Sequence, residues 1–259
     1  MLNLENLCVT QENKIILKDI DATIKAGKIT TIIGPNGSGK STLLKSIAQL
    51  ITPKRGEIYL EGKNLRQLSR KNIAKKLAFM TQGSICPDNM TVKDLVMLGR
   101  FVHQNFWSAA SKSDHDYVHD VINQVGLSDR KECSLTTLSG GQLQRAWMAM
   151  VLAQDTPYLL LDEPTTYLDL SYQIDLLNLI RSLNKNLKKT IVMVLHDLNH
   201  AIQYSDEIIV LHQNSLYAQG NAKSLITENL LSSVFKLQAR VIYGIIHDLP
   251  YIVAEGTLR

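Results

Sequence analysis

Residues 34–42 read GPNGSGKST, which places two glycines, a lysine and a hydroxyl at the spacing G-x-x-x-x-G-K-S/T. That spacing suits a polyphosphate. Glycines let the backbone N–H groups over 37–41 turn toward one anion, and the helix that follows presents its positive end to the same charge. Lys40 adds a point charge for the β- and γ-phosphates, the Ser41 hydroxyl is a fitting Mg²⁺ ligand, and Thr42 can contact the α-phosphate side. Asn36, Gly37, Ser38 and Gly39 complete the loop. A glycine turn that only caps a helix is the plainer reading. The apolar run before the loop and the helical spacing after it favour the phosphate-binding one.

Such a loop needs a second metal ligand and a group to aim water, and Tyr158-Leu-Leu-Leu-Asp-Glu163 offers both. Asp162 is expected to complete the Mg²⁺ shell, and Glu163 to act as general base or water-positioning group. Adjacent acids at a strand end are often no more than a solvated cap; beside the phosphate loop that reading weakens. A third segment, Leu138-Ser-Gly-Gly-Gln142, precedes a helix-forming stretch over 143–153 and makes another N-terminal anion site, with an ordinary cap as its simpler reading. His196-Asp-Leu-Asn-His200 has two histidines four apart, as a zinc hydrolase would. The short Asp197 and the apolar residues before His196 argue for a strand end instead.

The elements that must position these groups follow from periodicity. Ile29–Ile33 reads as a strand and 41–50 as a helix; 158–161 and 190–195 read as buried strands with an amphipathic helix over 172–183 between them. This alternation predicts an α/β fold with a mainly parallel sheet. The stretch to Ala26, with 56–60, reads as a small antiparallel sheet. Residues 91–153 read as an inserted helical subdomain that opens on a capping box, Thr91-x-x-Asp94. No repeat or Gly/Ser-rich linker interrupts the chain, so one domain over 1–259 is expected, with a C-terminal extension over 221–259 that carries few functional signals.

Composition bounds the rest. With 259 residues, 45% of them hydrophobic, the chain can bury a large core, and a net charge of +4 spread along it does not call for nucleic acid. Three widely spaced cysteines, Cys8, Cys86 and Cys133, make no disulfide framework or zinc ribbon. The N-terminus has no signal-peptide pattern, and the longest apolar run, 146–153, is far short of the ~20 residues that cross a bilayer. Any membrane association is expected to be peripheral, from the cytoplasmic side.

Taken in order, GPNGSGKST, LSGGQ followed by Gln144-Arg145, and LLLDEP resemble the nucleotide-binding subunits of ABC transporters over nearly the whole chain. The resemblance implies a P-loop ATPase fold, ATP with Mg²⁺ as ligand, and a head-to-tail dimer of two copies. In that dimer Ser139, Gly141 and Gln142 reach the γ-phosphate held by the P-loop of the second chain, and Gly140 belongs to the same nucleotide-binding segment. It also implies that Gln82 senses Mg²⁺ and water, that Asp169 in Tyr167-Leu-Asp169 communicates between sites, and that His196 contacts the γ-phosphate. Taken alone, these three residues read as a loop amide, a helix cap and a structural histidine. One departure is that Gln11 stands where the family commonly stacks an aromatic residue on adenine, which leaves ATP against GTP open.

Glu163-Pro-Thr-Thr-Tyr-Leu-Asp169, Val194-Leu-His-Asp-Leu-Asn199 and residues 91–100 resemble the importer branch that serves ferric siderophores, with haem and cobalamin relatives. That branch implies permease subunits docking near residues 82–100 and an extracytoplasmic solute-binding protein. A soluble ABC ATPase would show tandem cassettes or a long coiled coil, and a non-catalytic scaffold would lack Glu163 or His196.

Overall fold

In the computed structural model, which describes residues 1–83, 89–104, 110–246 and 248–258, the chain divides into two units. Cys86 and part of the 82–100 segment lie outside the described residues. The first unit is Met1–Leu68 with Thr190–Arg259; the second is Ser69–Lys189.

The first unit is built on Ile29–Ile33, which is buried at every position and lies parallel to Thr190–Val194 on one side and Glu207–His212 on the other. Burial on both faces suits its β-branched residues. Parallel strands end on one edge, so residues 34–42 and the segment after Val194 leave the sheet side by side, where α/β proteins build their sites. Ser215–Gly220 adds an antiparallel edge strand.

A second, antiparallel sheet of this unit has the order Lys14–Ile24, Leu2–Gln11, Arg55–Leu60, Lys63–Asn64, as the N-terminal sequence predicts. Leu4 and Leu7 are both buried although strict alternation would put them on opposite faces. A register shift between them resolves the conflict, with Asn6 at φ 47° taking up the extra residue. The C-terminal stretch holds the helices Ala222–Leu225 and Glu228–Phe235 and a hairpin of Leu237–Ile246 with Leu249–Thr257.

In the second unit Leu77–Met80 runs parallel to Tyr158–Asp162, with Met80 opposite Leu161. Three helices, Val92–Leu98, Lys112–Gln124 and Gly140–Ala153, pack on one another. Each opens on a capping box: Thr91 with Asp94, Ser111 with Asp114, and Ser139 with Gln142. Arg100 joins them, its Nε donating to Asp114 Oδ1 at 2.9 Å and its Nη1 to Ala153 O at 2.9 Å, with the guanidinium 4.6 Å from the Tyr117 ring centre. The Ser111 hydroxyl and then Arg100 hold the Asp114 carboxyl down to about 2. Leu170–Leu187, longer than the 172–183 expected, buries Leu176, Leu177, Ile180 and Leu183 on one face.

Candidate active site

The first unit carries the phosphate loop on its main chain. Ile33 ends the central strand, residues 34–39 turn, and the helix Lys40–Ile47 starts at Gly39, whose φ of 96° few side chains tolerate. Gly34 is required by a close approach as well: a Cβ there would lie 2.2 Å from Leu211 O. Lys40 is buried, and its Nζ donates to Gly34 O at 2.9 Å and Pro35 O at 3.0 Å, which fixes the ammonium over the loop. Asn36 and Gly37 are exposed, whereas Ser38 is buried and its hydroxyl oxygen makes no hydrogen bond. A buried hydroxyl without a partner, a lysine and a helix N-terminus are donors for anionic oxygen, so the loop fits a triphosphate. Ser41 and Thr42 sit half-buried on the first turn.

On the neighbouring strand the segment predicted over 190–195 ends at Val194. His196 is exposed in the link that follows, and Asp197 caps Leu198–Tyr204, its Oδ1 accepting from His200 N at 2.8 Å. The two histidines therefore do not share a helical face, and the zinc-hydrolase geometry is not formed. The P-loop and His196 belong to adjacent strand ends of one sheet. Gln11 closes the strand Leu2–Gln11, exposed, beside a turn at Glu12 and Asn13, and the first aromatic residue of the chain is Tyr59.

The second unit carries the carboxylates on side chains. Tyr158–Asp162 is buried throughout, so the Asp162 carboxylate emerges from an apolar strand at 1% exposure. Glu163 follows at φ 51°, a left-handed conformation rare for a residue with a side chain and often found at functional turns. Its Oε2 accepts from Gln82 Nε2 at 2.5 Å and from Thr166 Oγ1 at 3.1 Å. Gln82, placed just beyond Leu77–Met80, and Glu163 thus meet across the two parallel strands. A carboxylate beside Asp162 and held by two donors is oriented to receive a proton at Oε1 or Oε2. The Asp162 carboxylate and, separately in the first unit, the Ser41 hydroxyl are hard oxygen groups of the kind that Mg²⁺ takes.

The LSGGQ segment, 138–142, opens Gly140–Ala153. Ser139 Oγ accepts from Gln142 N at 3.3 Å, and Gln142 Oε1 accepts from Ser139 N at 3.0 Å. The two glycines differ: a Cβ on Gly140 would meet nothing within 4 Å, whereas on Gly141 it would lie 2.6 Å from Tyr172 Cδ1. Asp169 Oδ1 accepts from Tyr172 N at 3.2 Å and begins the Leu170–Leu187 helix. Gln144 Nε2 donates to Pro164 O at 2.6 Å, and Arg145 Nη2 to Asp175 Oδ2 at 2.9 Å. These contacts join the Gly140–Ala153 helix to the segment after Glu163. Thr166, Gln144 and Tyr172 thus support the site; Gln144 is marked in the sequence by its place after LSGGQ and Thr166 by its spacing from Glu163, whereas Tyr172 leaves no trace there.

Comparison with known proteins agrees with this fold and this order of motifs. Residues 17–166 match the ABC transporter family model. The chain is 40% identical over 258 residues to the probable siderophore transport system ATP-binding protein YusV of Bacillus subtilis, covering 100% of this chain and 94% of that protein. It is 38% identical to the ferric enterobactin transport ATP-binding protein FepC of Escherichia coli, over 97% of this chain and 93% of the other. Among solved structures, one described as a metal-chelate type ABC transporter in an inward-facing conformation matches with a TM-score of 0.85 at 25% identity, over 98% of this chain and 96% of that one.

A phosphate loop, a strand-end Asp-Glu pair and an LSGGQ helix start define an ATP-binding, ATP-hydrolysing cassette. The chain belongs to the ABC transporter family.

Proposed function

We propose that this chain is the motor of an importer for ferric siderophores, working at the cytoplasmic face of the membrane as one nucleotide-binding domain with a helical insertion over 91–153. Its full-length similarity to ATP-binding proteins of siderophore and ferric enterobactin transport supports that solute class. Among the described residues no helix is long and apolar enough to cross a membrane, so the path for the solute is assigned to separate permease subunits, supplied by a solute-binding protein.

The hydrolytic reading rests on one observation: Glu163, in a left-handed turn at the end of a buried strand, is held by Gln82 and Thr166. Residues 36–42 bind the triphosphate, with Lys40 on the β- and γ-phosphates. Ser41, Asp162 and Gln82 are the groups that would hold Mg²⁺. The metal, when bound, neutralises phosphate charge. Glu163 aims a water at the γ-phosphorus and takes its proton, while His196 donates to a γ-phosphate oxygen. The Gln82 bond keeps Glu163 from swinging out of line.

A second copy completes each site with Ser139, Gly140, Gly141 and Gln142, and Asp169 links the two sites. The exposed Tyr167, at 88%, and Leu170, at 63%, on the segment that begins that helix suit a face that is covered by this partner. ATP joins the copies and hydrolysis releases them, a two-state switch set by ligand.

Uptake of labelled ferric siderophore in cells that lack this protein, restored with wild type or with Lys40→Ala, tests the reading. Restoration by wild type alone is expected; uptake unchanged by the deletion would remove the solute assignment.

A further inference from the structure

A two-stranded hairpin is marginal on its own in water, so Leu237–Ile246 with Leu249–Thr257 must be anchored by what it packs against. Ile252 is buried at 7% exposure, and its backbone groups meet one side chain outside the hairpin. Asn199 Nδ2 donates to Ile252 O at 3.1 Å, and Ile252 N donates to Asn199 Oδ1 at 2.9 Å. A carboxamide carries a donor and an acceptor side by side, as a peptide edge does, and here both close on one residue. The hairpin transmits the grip inward: Val241 pairs with Ile252, and Val241 N donates to Glu228 Oε1 at 3.3 Å on the preceding helix.

Asn199 lies in the first turn of Leu198–Tyr204, three residues after His196. The link that carries His196 is thus fixed on one side by a fully buried strand, Thr190–Val194, and on the other by a helix whose first turn is clasped to the hairpin. His196 is itself exposed.

We propose that Asn199, through its two-way bond to Ile252, is a positioning residue for His196, which makes the C-terminal hairpin part of the ATPase machinery. This rests on the reading of His196 as the γ-phosphate contact. Movement of the hairpin would shift Asn199 and the helix start with it, and so retune turnover without touching the nucleotide.

The test is steady-state ATP hydrolysis by the purified chain, with Asn199→Asp and Asn199→Ala made alone and in a His196→Ala background. Asn199→Asp keeps the shape and the acceptor but loses the donor. Each variant is expected to lower kcat about three- to tenfold while the KM for ATP stays within about twofold, a loss suited to hydrogen bonds outside the binding loop. In the His196→Ala background the same changes should cost nothing more, because the residue they act through is gone. Equal fold losses in both backgrounds would overturn the proposal, as would unchanged kcat in a folded Asn199→Asp variant. If neither variant melts as a folded protein the contact is structural only, and the proposal fails. If His196→Ala alone leaves turnover intact, the reading of His196 falls first and this inference with it.

Discussion

The phosphate loop and the carboxylate pair solve the same problem with different material. In residues 34–42 the shape is main chain: glycines at Gly34 and Gly39 permit the turn, a helix start supplies N–H groups, and Lys40 is pinned to two carbonyls. Around Glu163 the geometry is side chain: Gln82 and Thr166 reach one carboxylate from different segments. On the proposed reading the first arrangement binds a charge that is always present, and the second holds one atom in line with a reaction. A main-chain cradle keeps its shape when its polar side chains change but not when its glycines do, whereas a side-chain network loosens at any member.

Substitutions should separate the two. Glu163→Gln is expected to have the largest effect, a loss of about 10²–10⁴-fold in kcat from removal of the base, read by phosphate release. Lys40→Ala, which removes a charge-assisted contact of roughly 1.5–3 kcal/mol, should lower kcat/KM about 10–100-fold. Gly34→Ala places a methyl against Leu211 O and should cost about 1–3 kcal/mol of stability, seen as a lower unfolding midpoint in urea. Thr166→Val removes one donor from the Glu163 carboxylate and should lower kcat about two- to tenfold with binding unchanged.

The smallest effect is one of pH. Asp114 is held down to about 2 by Ser111 and Arg100, so its stabilising contribution is full above the ordinary carboxylate value near 4 and is lost as pH falls from about 4 toward 2. An Asp114→Asn variant should therefore show a flatter loss of stability over that window than wild type.

Much of this was legible in the sequence because it is local. GPNGSGKST, LSGGQ and LLLDE are each a strand end or a helix start, and their meaning is carried by backbone within a few residues. The capping box at Thr91 was legible for the same reason. The bulge at Asn6, the left-handed turn at Glu163, Tyr172 over Gly141 and Asn199 on Ile252 were not, because each joins segments that no periodicity relates. The segment after Gly220 looked empty for a similar reason: its hairpin acts through backbone groups, which a sequence pattern does not reveal.

ATP affinity, measured for Glu163→Gln and Lys40→Ala side by side, tests the division between binding loop and hydrolytic carboxylate most directly. The account predicts that Glu163→Gln binds ATP within about twofold of wild type and does not turn it over, while Lys40→Ala binds about 10–100-fold more weakly. Normal turnover by Glu163→Gln, or equal loss of affinity in both variants, would contradict it.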